Sequence, residues 1–504
     1  MNAPSSIRSI VIVGGGTAGW MAAASLVGRF ERQDLAITVV ESPDIGTVGV
    51  GEATVPGIRD YFRDLGLSAV DVLRATQGTI KLGIDFVDWS GPGRSFFHPF
   101  GLYGASSRGV PFHQFWTRMH KAGDPHSIDH YSLCTALARS NRFMLPLKAS
   151  QGDLSIFDYA VHFDAGRFAR FLCDYSVSRG VTHVPATVRH VRRDGESGLI
   201  AGIDLTDGRR IDGDFFIDCT GFRALLIGQA LGESYVDWSD LLPCDRAVAI
   251  PCRPGAGPLT PYTRSTARPA GWQWRIPLQH RIGNGYVYAS RHISDDEAVA
   301  TLTDSLEGEA LADPNMIRFT TGHRSRFWSG NCIALGLAAG FLEPLESTSI
   351  TLIQTGLEKL FELFPDRTFQ PALRDEFNRS TTLEYERVRD FLLLHYWANG
   401  RQGEAMWDAC RTLDLPEPLQ RKIALWTARG KLARYEWETF QDPSWVSMYA
   451  GFGITPDRYD PLADFFSDEE VRIALQRMRD TVRQLADLAH PHDQFIAANA
   501  RAQA

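Results

Sequence analysis

The chain has 504 residues, of which 44% are hydrophobic and 22% charged, proportions typical of a soluble enzyme rather than a disordered or membrane-embedded protein. Its 52 basic and 60 acidic residues give a net charge of −8, which argues against nucleic acid or an anionic membrane as a partner. The seven cysteines are scattered and odd in number, so we expect reduced thiols and a cytoplasmic protein.

The N-terminal residues have the pattern of a nucleotide-binding βαβ unit. The first apolar run is too short for a signal peptide or a membrane span and leads directly into glycines, so we predict a buried strand. The predicted elements are a strand over 9–13, a glycine turn over 14–19, a helix over 20–30 and a second strand over 37–40.

The glycine turn has the G-x-G-x-x-G spacing at Gly14, Gly16 and Gly19, and Glu41 follows at the end of the second strand. Such glycines let the backbone approach a pyrophosphate at a helix N-terminus, and the acid accepts hydrogen bonds from a ribose. The alternative is a turn that is only structural. We predict nucleotide contacts at Gly14, Gly16, Thr17, Ala18, Gly19 and Glu41.

The chain returns to this core twice. Strand and helix patterns run from about 164 to 221 and end in the buried strand 214–218, and a second buried strand spans 332–335. In flavin hydroxylase-like folds a segment placed like 331–340 lies beside the flavin, which favours FAD over NAD. No second G-x-G-x-x-G follows a strand, so the chain offers no evident NAD(P)H site.

The region from about 240 to 320 has an antiparallel pattern. Strands over 272–279 and 286–290 flank Gly283-Asn284-Gly285, which we predict to be a hairpin turn. The run Gly271–Pro277 (GWQWRIP) therefore belongs on a sheet. Its aromatic side chains fit a strand face, where they could also be ordinary core residues.

Lys81 lies in the segment 79–86, which we predict to be a single strand. Ile80, Leu82, Ile84 and Phe86 would share one face, and Lys81 would project from the other. A lysine so placed is usually solvated.

The segment 343–350 (EPLESTSI) precedes an apolar helical pattern. Ser347 or Thr348 would cap that helix, and its first free amides would form a small anion site. The alternative is ordinary capping. From about Asn378 onward helical periodicity dominates, with a capping box at Ser467 and Glu470.

Taken together, the glycine loop, Lys81, the WxWxIP run and Glu346-Ser347-Thr348 resemble the flavin-dependent tryptophan halogenases. The resemblance extends from Gly14 to Leu462. It implies an α/β fold with an FAD-binding, GR2-type, hydroxylase-like Rossmann core, an interleaved antiparallel sheet and a C-terminal helical substrate module. It also implies an enzyme that uses FAD as FADH2, O2 and chloride or bromide, with a separate NAD(P)H-dependent flavin reductase as partner.

We expect a corresponding domain organisation. A halogenase module over 1–370 would have a discontinuous core of 1–60, 150–240 and 320–370, with sheet insertions at 61–149 and 241–319. A helical substrate-binding module over 371–504 would pack on it. A homodimer is possible, and we expect no metal.

The resemblance also implies residue roles. Lys81 would hold the hypohalous acid or capture its halogen, and Glu346 would polarise that species and help remove the ring proton. Segment 48–54 would be a mobile strap over the cofactor, although it could be a surface loop. The implied flavin contacts are Glu52, Ala53, Val188, Asp218, Leu337 and Ile350; the halide would bind at Thr348 and Ser349; and Trp272, Trp274, Ile276 and Pro277 would wall the passage.

Two features bear on halide and substrate. Family members commonly have glycine where this chain has Ser349, so a positive φ at that position would weaken halide binding. The segment 435–453 is shorter than the one with which tryptophan-specific members clamp the amino acid end of their substrate. We therefore predict a small indole-type substrate rather than free tryptophan, stacked by His98, Phe100 and Trp445.

The sequence is also compatible with two other functions. A flavin-dependent aromatic monooxygenase, a hydroxylase, would oxidise NAD(P)H without a partner and insert oxygen. A non-catalytic flavin-binding or sensor protein would give no product.

Overall fold

The computed structural model describes residues 6–30, 35–44, 51–146 and 152–501. The chain divides into two compact units, each built from three stretches of sequence. The first unit comprises Met1–Gly78, Phe163–Asp240 and Arg318–Tyr385, and the second comprises Thr79–His162, Leu241–Ile317 and Glu386–Ala504. Within the described ranges, no helix combines the length and the apolar composition needed to cross a membrane.

Strands and helices are interspersed up to the long helix that begins at Pro371, and β9 to β18 follow one another without an α-helix between them. The strands are β1 (Ser9–Val13), β2 (Ala36–Glu41), β3 (Gly51–Ala53), β4 (Thr79–Lys81), β5 (Gly83–Val87), β6 (Ser95–Pro99), β7 (Arg142–Phe143), β8 (Ala160–Asp164), β9 (Thr182–Pro185), β10 (Val188–Arg193), β11 (Ile200–Leu205), β12 (Arg210–Asp212), β13 (Phe215–Asp218), β14 (Tyr235–Asp237), β15 (Arg246–Ala249), β16 (Thr263–Arg268), β17 (Gly271–Pro277), β18 (Ile282–Tyr288), β19 (Asn315–Arg318), β20 (Gly322–Arg324), β21 (Trp328–Ser329), β22 (Cys332–Ala334), β23 (Gly340–Phe341) and β24 (His490–Pro491). The helices are α1 (Thr17–Phe30), α2 (Ile58–Asp64), α3 (Ala69–Thr76), α4 (Phe112–Lys121), α5 (Leu133–Arg139), α6 (Ala165–Val177), α7 (Asp295–Asp304), α8 (Ser349–Glu362), α9 (Pro371–Trp397), α10 (Ala405–Cys410), α11 (Glu417–Arg429), α12 (Asp442–Gly451), α13 (Asp468–Asp487) and α14 (His492–Asn499).

The first unit is organised around a six-stranded sheet with the order β21-β22-β13-β1-β2-β9. β1 pairs in parallel with β2 and β13, and β13 pairs in parallel with β22. Residues 10–13 of β1 are buried, as is typical of a strand covered on both faces. α1 packs against α6 and α8. The predicted βαβ unit and both returns of the chain to the core are confirmed.

The second unit contains a seven-stranded sheet with the order β19-β15-β18-β17-β16-β5-β6. β17 carries the WxWxIP run and pairs antiparallel with β16 and β18. The predicted antiparallel sheet is therefore confirmed.

The predicted position of the hairpin turn is wrong. Gly283, Asn284 and Gly285 lie inside β18, and the chain turns instead at 278–281, where Leu278 N–H donates to the Arg281 carbonyl (2.9 Å). The reason is steric: a Cβ added to Gly285 would lie 2.0 Å from the indole ring of Trp274. Glycine is present because a large side chain on the partner strand needs the space.

The prediction of one strand over 79–86 is also wrong. The chain breaks at Leu82 into β4, which pairs antiparallel with the first part of β8, and β5, which belongs to the seven-stranded sheet. Leu82 N–H donates to the Pro261 carbonyl (2.7 Å), and the Leu82 carbonyl accepts from Phe100 N–H (2.9 Å). Side chains of 79–87 are consequently buried on both sides, apart from the partly exposed Val87.

The C-terminal part of the chain is helical, as predicted. α9 is 27 residues long, and α13 begins with the predicted capping box, in which Ser467 and the Glu470 backbone and side chain are reciprocally hydrogen-bonded.

We expect Gly285→Ala to lower the free energy of unfolding by about 1–3 kcal/mol, because the new methyl group would force the Trp274 indole out of its place. Gly257→Ala is the matched control, since a Cβ there meets nothing within 4 Å. Denaturant unfolding of both variants measures the effect, and equal stability of the two would contradict this account of β18.

Candidate active site

The glycine turn of the first unit has little room except at one position. Gly14 has φ +109°, and a Cβ on it would lie 2.2 Å from the Cys219 carbonyl oxygen. A Cβ on Gly19 would lie 1.8 Å from the Gly14 carbonyl oxygen. A Cβ on Gly16 would meet nothing within 4 Å. Gly14 and Gly19 are thus required by the packing of the turn, whereas Gly16 leaves open space at the start of α1, where a pyrophosphate fits.

Glu41 lies beside this turn at the end of β2. Its side chain packs over Gly15, where an added Cβ would be 2.1 Å from the Glu41 Cδ. The His183 Nε2 atom is 3.0 Å from the carboxylate. The sequence pattern did not identify His183, because it lies on β9, 142 residues further along the chain, and only the parallel pairing of β2 and β9 brings it there.

The other predicted flavin contacts of the first unit have varied surroundings. Val188 begins β10 and Leu337 lies in a 3₁₀ turn, both partly exposed, whereas Ala53 and Ile350 are buried. Asp218 is fully buried at the end of β13 and its carboxylate accepts hydrogen bonds from the backbone of Thr220, Leu226 and Ile227. Those amides belong to the glycine-containing turn and the π-helical segment Leu225–Ala230, so the Asp218 side chain serves the fold of this segment.

The predicted strap spans residues 48–54, of which 48–50 lie outside the described residues. Gly51–Ala53 form β3, and Glu52 is partly buried. Burial raises the pKa of the Glu52 carboxyl from 4.5 to about 7.

The segment before α8 brings Glu346, Ser347 and Thr348 together in a buried turn. Glu346 ends a 3₁₀ turn and is 1% exposed. The positive φ falls on Ser347 (+62°), and Ser349 is a helical residue in the first turn of α8. Serine can therefore stand at position 349 in place of glycine without backbone strain, because this position does not adopt the left-handed conformation.

The predicted side-chain cap of α8 is wrong. Thr348 is the N-cap residue, yet no side chain caps the helix. Among the described residues, the buried Thr348 hydroxyl finds no hydrogen-bond partner. The first amides of α8 thus receive no side-chain oxygen from the N-cap residue, as an anion site requires.

Lys81 ends β4 in the second unit and is fully buried, contrary to the solvated position that its sequence pattern alone favours. Its Nζ atom lies 4.9 Å from the centre of the Phe100 ring. Position 79, two residues earlier, is joined to the WxWxIP strand, because the Thr79 hydroxyl donates to the Pro277 carbonyl (2.7 Å). Lys81 and the WxWxIP run are therefore parts of one packed region.

The three predicted substrate-stacking residues belong to one aromatic cluster of the second unit. His98 contacts Phe100, with ring centres 6.3 Å apart, and Phe391, at 5.9 Å. Phe391 stacks on Phe440 (3.9 Å) and meets Trp445 edge-on (5.0 Å). Phe391 was not identified in the sequence, since nothing in the periodicity of α9 distinguishes it from other buried residues.

The WxWxIP side chains lie on β17 in the second unit. Trp272, Trp274, Ile276 and Pro277 are all buried, and the two indole rings lie on the same face with centres 6.2 Å apart. Because Gly285 on β18 leaves space for the Trp274 ring, this indole packs directly on the backbone of the neighbouring strand.

A buried ion pair adjoins the aromatic cluster. Lys422 Nζ lies 2.7 Å from the Glu438 carboxylate, with side chains 5% and 8% exposed. The same ammonium lies 4.4 Å from the centre of the Trp445 ring. Burial lowers the pKa of Lys422, and the Glu438 carboxylate opposes this change.

The raised pKa of Glu52 predicts a pH effect on stability. The carboxyl contributes most stability when it is protonated, below about pH 4.5, and this contribution is lost as the pH rises through about 7. Glu52→Gln cannot ionise, so in flavin-free protein its stability relative to the native chain should increase over that range and level off above it. Urea unfolding at several pH values measures this, with exposed Glu196→Gln as control; a pH-independent difference for Glu52→Gln would contradict it.

Comparison with known proteins gives consistent matches over almost the whole chain. The family model described as Tryptophan halogenase matches residues 9–468. The tryptophan 6-halogenase SttH of Streptomyces toxytricini is 37% identical over 516 residues, covering 97% of this chain and 98% of that protein. BrvH, a flavin-dependent halogenase from Brevundimonas sp. BAL3, matches in structure with a TM-score of 0.95 and 50% identity, covering 98% of this chain and 99% of BrvH. Xcc4156, a flavin-dependent halogenase from Xanthomonas campestris, matches with a TM-score of 0.95 and 42% identity over 99% of both chains.

These matches decide between the functions left open by the sequence. They confirm the expected α/β fold class. Neither an oxygen-inserting monooxygenase nor a non-catalytic flavin-binding protein agrees with matches to halogenases along nearly the full length. The chain belongs to the tryptophan halogenase family and is a flavin-dependent halogenase.

Proposed function

We propose that the enzyme uses FADH2, O2 and chloride or bromide to halogenate an electron-rich aromatic ring, of indole type rather than free tryptophan. The observation that carries this proposal is the complete burial of Lys81 against the Phe100 ring. An ammonium is seldom fully buried without a functional or structural need, and membership of a halogenase family supplies the need.

FAD fits the glycine turn of the first unit. The open space at Gly16 allows close approach of a pyrophosphate to the α1 N-terminus, and Thr17 and Ala18 supply its first helical positions. Glu41 beside the turn is suited to accept from ribose hydroxyls. We assign Glu52, Ala53, Val188, Leu337 and Ile350 to the same cofactor, and Asp218 to the support of its site. Reduced flavin, when bound, supplies with O2 the oxidising power that converts halide to hypohalous acid.

The halide is assigned to the backbone amides of Thr348 and Ser349. α8 has 14 residues, so its N-terminal amides carry the partial positive charge of a full helix. Two features support an anion there: the missing side-chain cap and the buried Thr348 hydroxyl, which finds no acceptor or donor within the described chain.

Lys81 is assigned to hold the oxidised halogen. A buried ammonium next to an aromatic face has few orientations, so it presents its N–H groups in a fixed direction to a small electronegative ligand. The buried WxWxIP side chains are assigned to exclude water on their side, which would keep the oxidised halogen away from solvent. Glu346, also buried, is proposed as the second catalytic residue and as acceptor of the ring proton.

The Lys422–Glu438 pair supports the proposed substrate class. Glu438 is a buried carboxylate in the segment 435–453, and it is neutralised by Lys422. It therefore offers no charge to the ammonium group of a free amino acid. The adjoining cluster of Phe391, Phe440 and Trp445 is apolar and flat, which favours a neutral arene. We further infer that a separate NAD(P)H-dependent reductase delivers the reduced flavin.

The test combines the protein with FAD, a generic flavin reductase, NADH, either halide and either indole or tryptophan. We expect halogenated indole by product mass and a higher kcat/KM for indole than for tryptophan. Lys81→Ala should lower product formation by ~10²-fold or more while FAD binding is retained. Exposed Lys121→Ala is the matched control.

A hydroxylated product, or full activity of Lys81→Ala, would refute the proposed chemistry. Faster turnover of tryptophan than of indole would refute only the substrate class.

The two kinds of glycine in the turn should respond differently to alanine. Gly16→Ala fills the open space and should weaken FAD binding at least about tenfold without loss of stability. Gly19→Ala should destabilise the flavin-free protein, because its methyl group meets the Gly14 carbonyl. FAD titration and thermal unfolding separate these effects; unchanged FAD affinity in Gly16→Ala would argue against the assigned pyrophosphate position.

A further inference from the structure

On the edge of β4 that faces away from β8, a side chain rather than a strand contacts the backbone. Within the described ranges β8 is the only strand that pairs with β4. The amides on the other edge are buried and still need partners. Ile80 N–H, immediately before Lys81, donates to Nε2 of His492 (3.3 Å) across 412 residues of sequence.

The hydrogen bonds of His492 fix its tautomer. Its Nδ1 atom lies 2.9 Å from the Leu259 carbonyl, which can only accept, so Nδ1 carries the proton. The lone pair of Nε2 is then available for Ile80 N–H. Both ring nitrogens are engaged, and burial lowers the pKa of His492 to about 4, so the ring stays neutral under working conditions.

The paired side of β4 is held by a second neutral imidazole. Since the Thr79 hydroxyl donates to the Pro277 carbonyl, it accepts from Nδ1–H of His162 (2.8 Å). Nε2 of His162 in turn accepts from the Thr263 hydroxyl (2.9 Å). Burial, and next the charge of Lys81, hold the pKa of His162 well below its usual range. The residues before Lys81 are thus fixed on both edges.

The C-terminal segment holds His492 in place independently of β4. His492 is the first residue of α14, and its own N–H donates to the Asn141 carbonyl (2.9 Å). The preceding β24 pairs with β7, and Arg142 donates to the Ala489 carbonyl (2.6 Å). The imidazole is therefore a rigid partner for the Ile80 amide.

We propose that His492 is a positioning residue for Lys81: it completes the open edge of β4 and so fixes the direction of the lysine amine. This inference rests on the proposed role of Lys81. A displacement of the strand by a fraction of an ångström would leave halide oxidation intact but let the oxidised halogen escape instead of reaching the arene.

The test uses the full chain with His492→Leu, which keeps the volume without hydrogen bonds, and His492→Gln, which keeps an acceptor within reach of Ile80. His490→Leu, at the exposed first position of β24 in the same segment, is the matched control. Three quantities are measured: hydrogen exchange of the Ile80 amide in flavin-free protein, brominated indole per NADH oxidised, and bromination of phenol red added as a trap for escaping hypobromous acid, with catalase present. Lys81→Met is run in parallel.

His492→Leu should lose Ile80 protection, lower brominated indole about tenfold or more and raise trap bromination, with total halide oxidation maintained. His492→Gln should recover most of the coupling, which is the amount of brominated indole formed per NADH oxidised. His490→Leu should match the native chain. Native coupling in His492→Leu would overturn the proposal, and so would an equal fall of product and trapped bromine in both variants.

If His492→Leu gives no folded protein, His492→Gln decides: coupling retained with Ile80 protection supports the proposal, and lost coupling despite that protection overturns it. Native activity of Lys81→Met would instead refute the proposed function, whatever the His492 variants show.

Discussion

A buried ammonium is the constraint on which the second unit depends. Removing a charge from water costs several kcal/mol, so the groups around Lys81 must be arranged to tolerate it. The ring of Phe100 presents its electron-rich face to the ammonium. Two histidines beside β4, His162 and His492, are kept neutral by burial and by hydrogen bonds that occupy both ring nitrogens. A second positive charge is thereby avoided, and the strand that carries the amine is fixed.

Close approach of backbone and side chains is the corresponding constraint in the first unit. Gly14 and Gly19 allow the turn after β1 to pack closely against Cys219, which follows β13. The Asp218 carboxylate accepts hydrogen bonds from backbone amides of the segment after β13. The same principle recurs in the sheet of the second unit, where Gly285 leaves space for the Trp274 indole. In both units, glycine is required where another group needs the volume of a side chain.

Much of the fold was predictable from local patterns. The α1 helix, the start of α8 and the capping box at Ser467 depend on neighbours within a few residues, and all three predictions are confirmed. The turn expected at Gly283–Gly285 and the single strand expected over 79–86 are wrong. Both depend on contacts with other elements: the Trp274 ring on the neighbouring strand in one case, and Pro261 and Phe100 at Leu82 in the other.

The candidate site divides in the same way. The sequence by itself determined the glycine turn and the amphipathic elements, and through the family motifs it indicated Lys81, Glu346 and the WxWxIP run as candidate site residues. Only the tertiary structure decided that Lys81 is buried, that Glu438 is paired with Lys422 and that His492 contacts the β4 edge. The physical reason is the range of the interactions: periodicity and turn chemistry act between near neighbours, whereas burial and hydrogen-bond pairing depend on segments up to 412 residues apart.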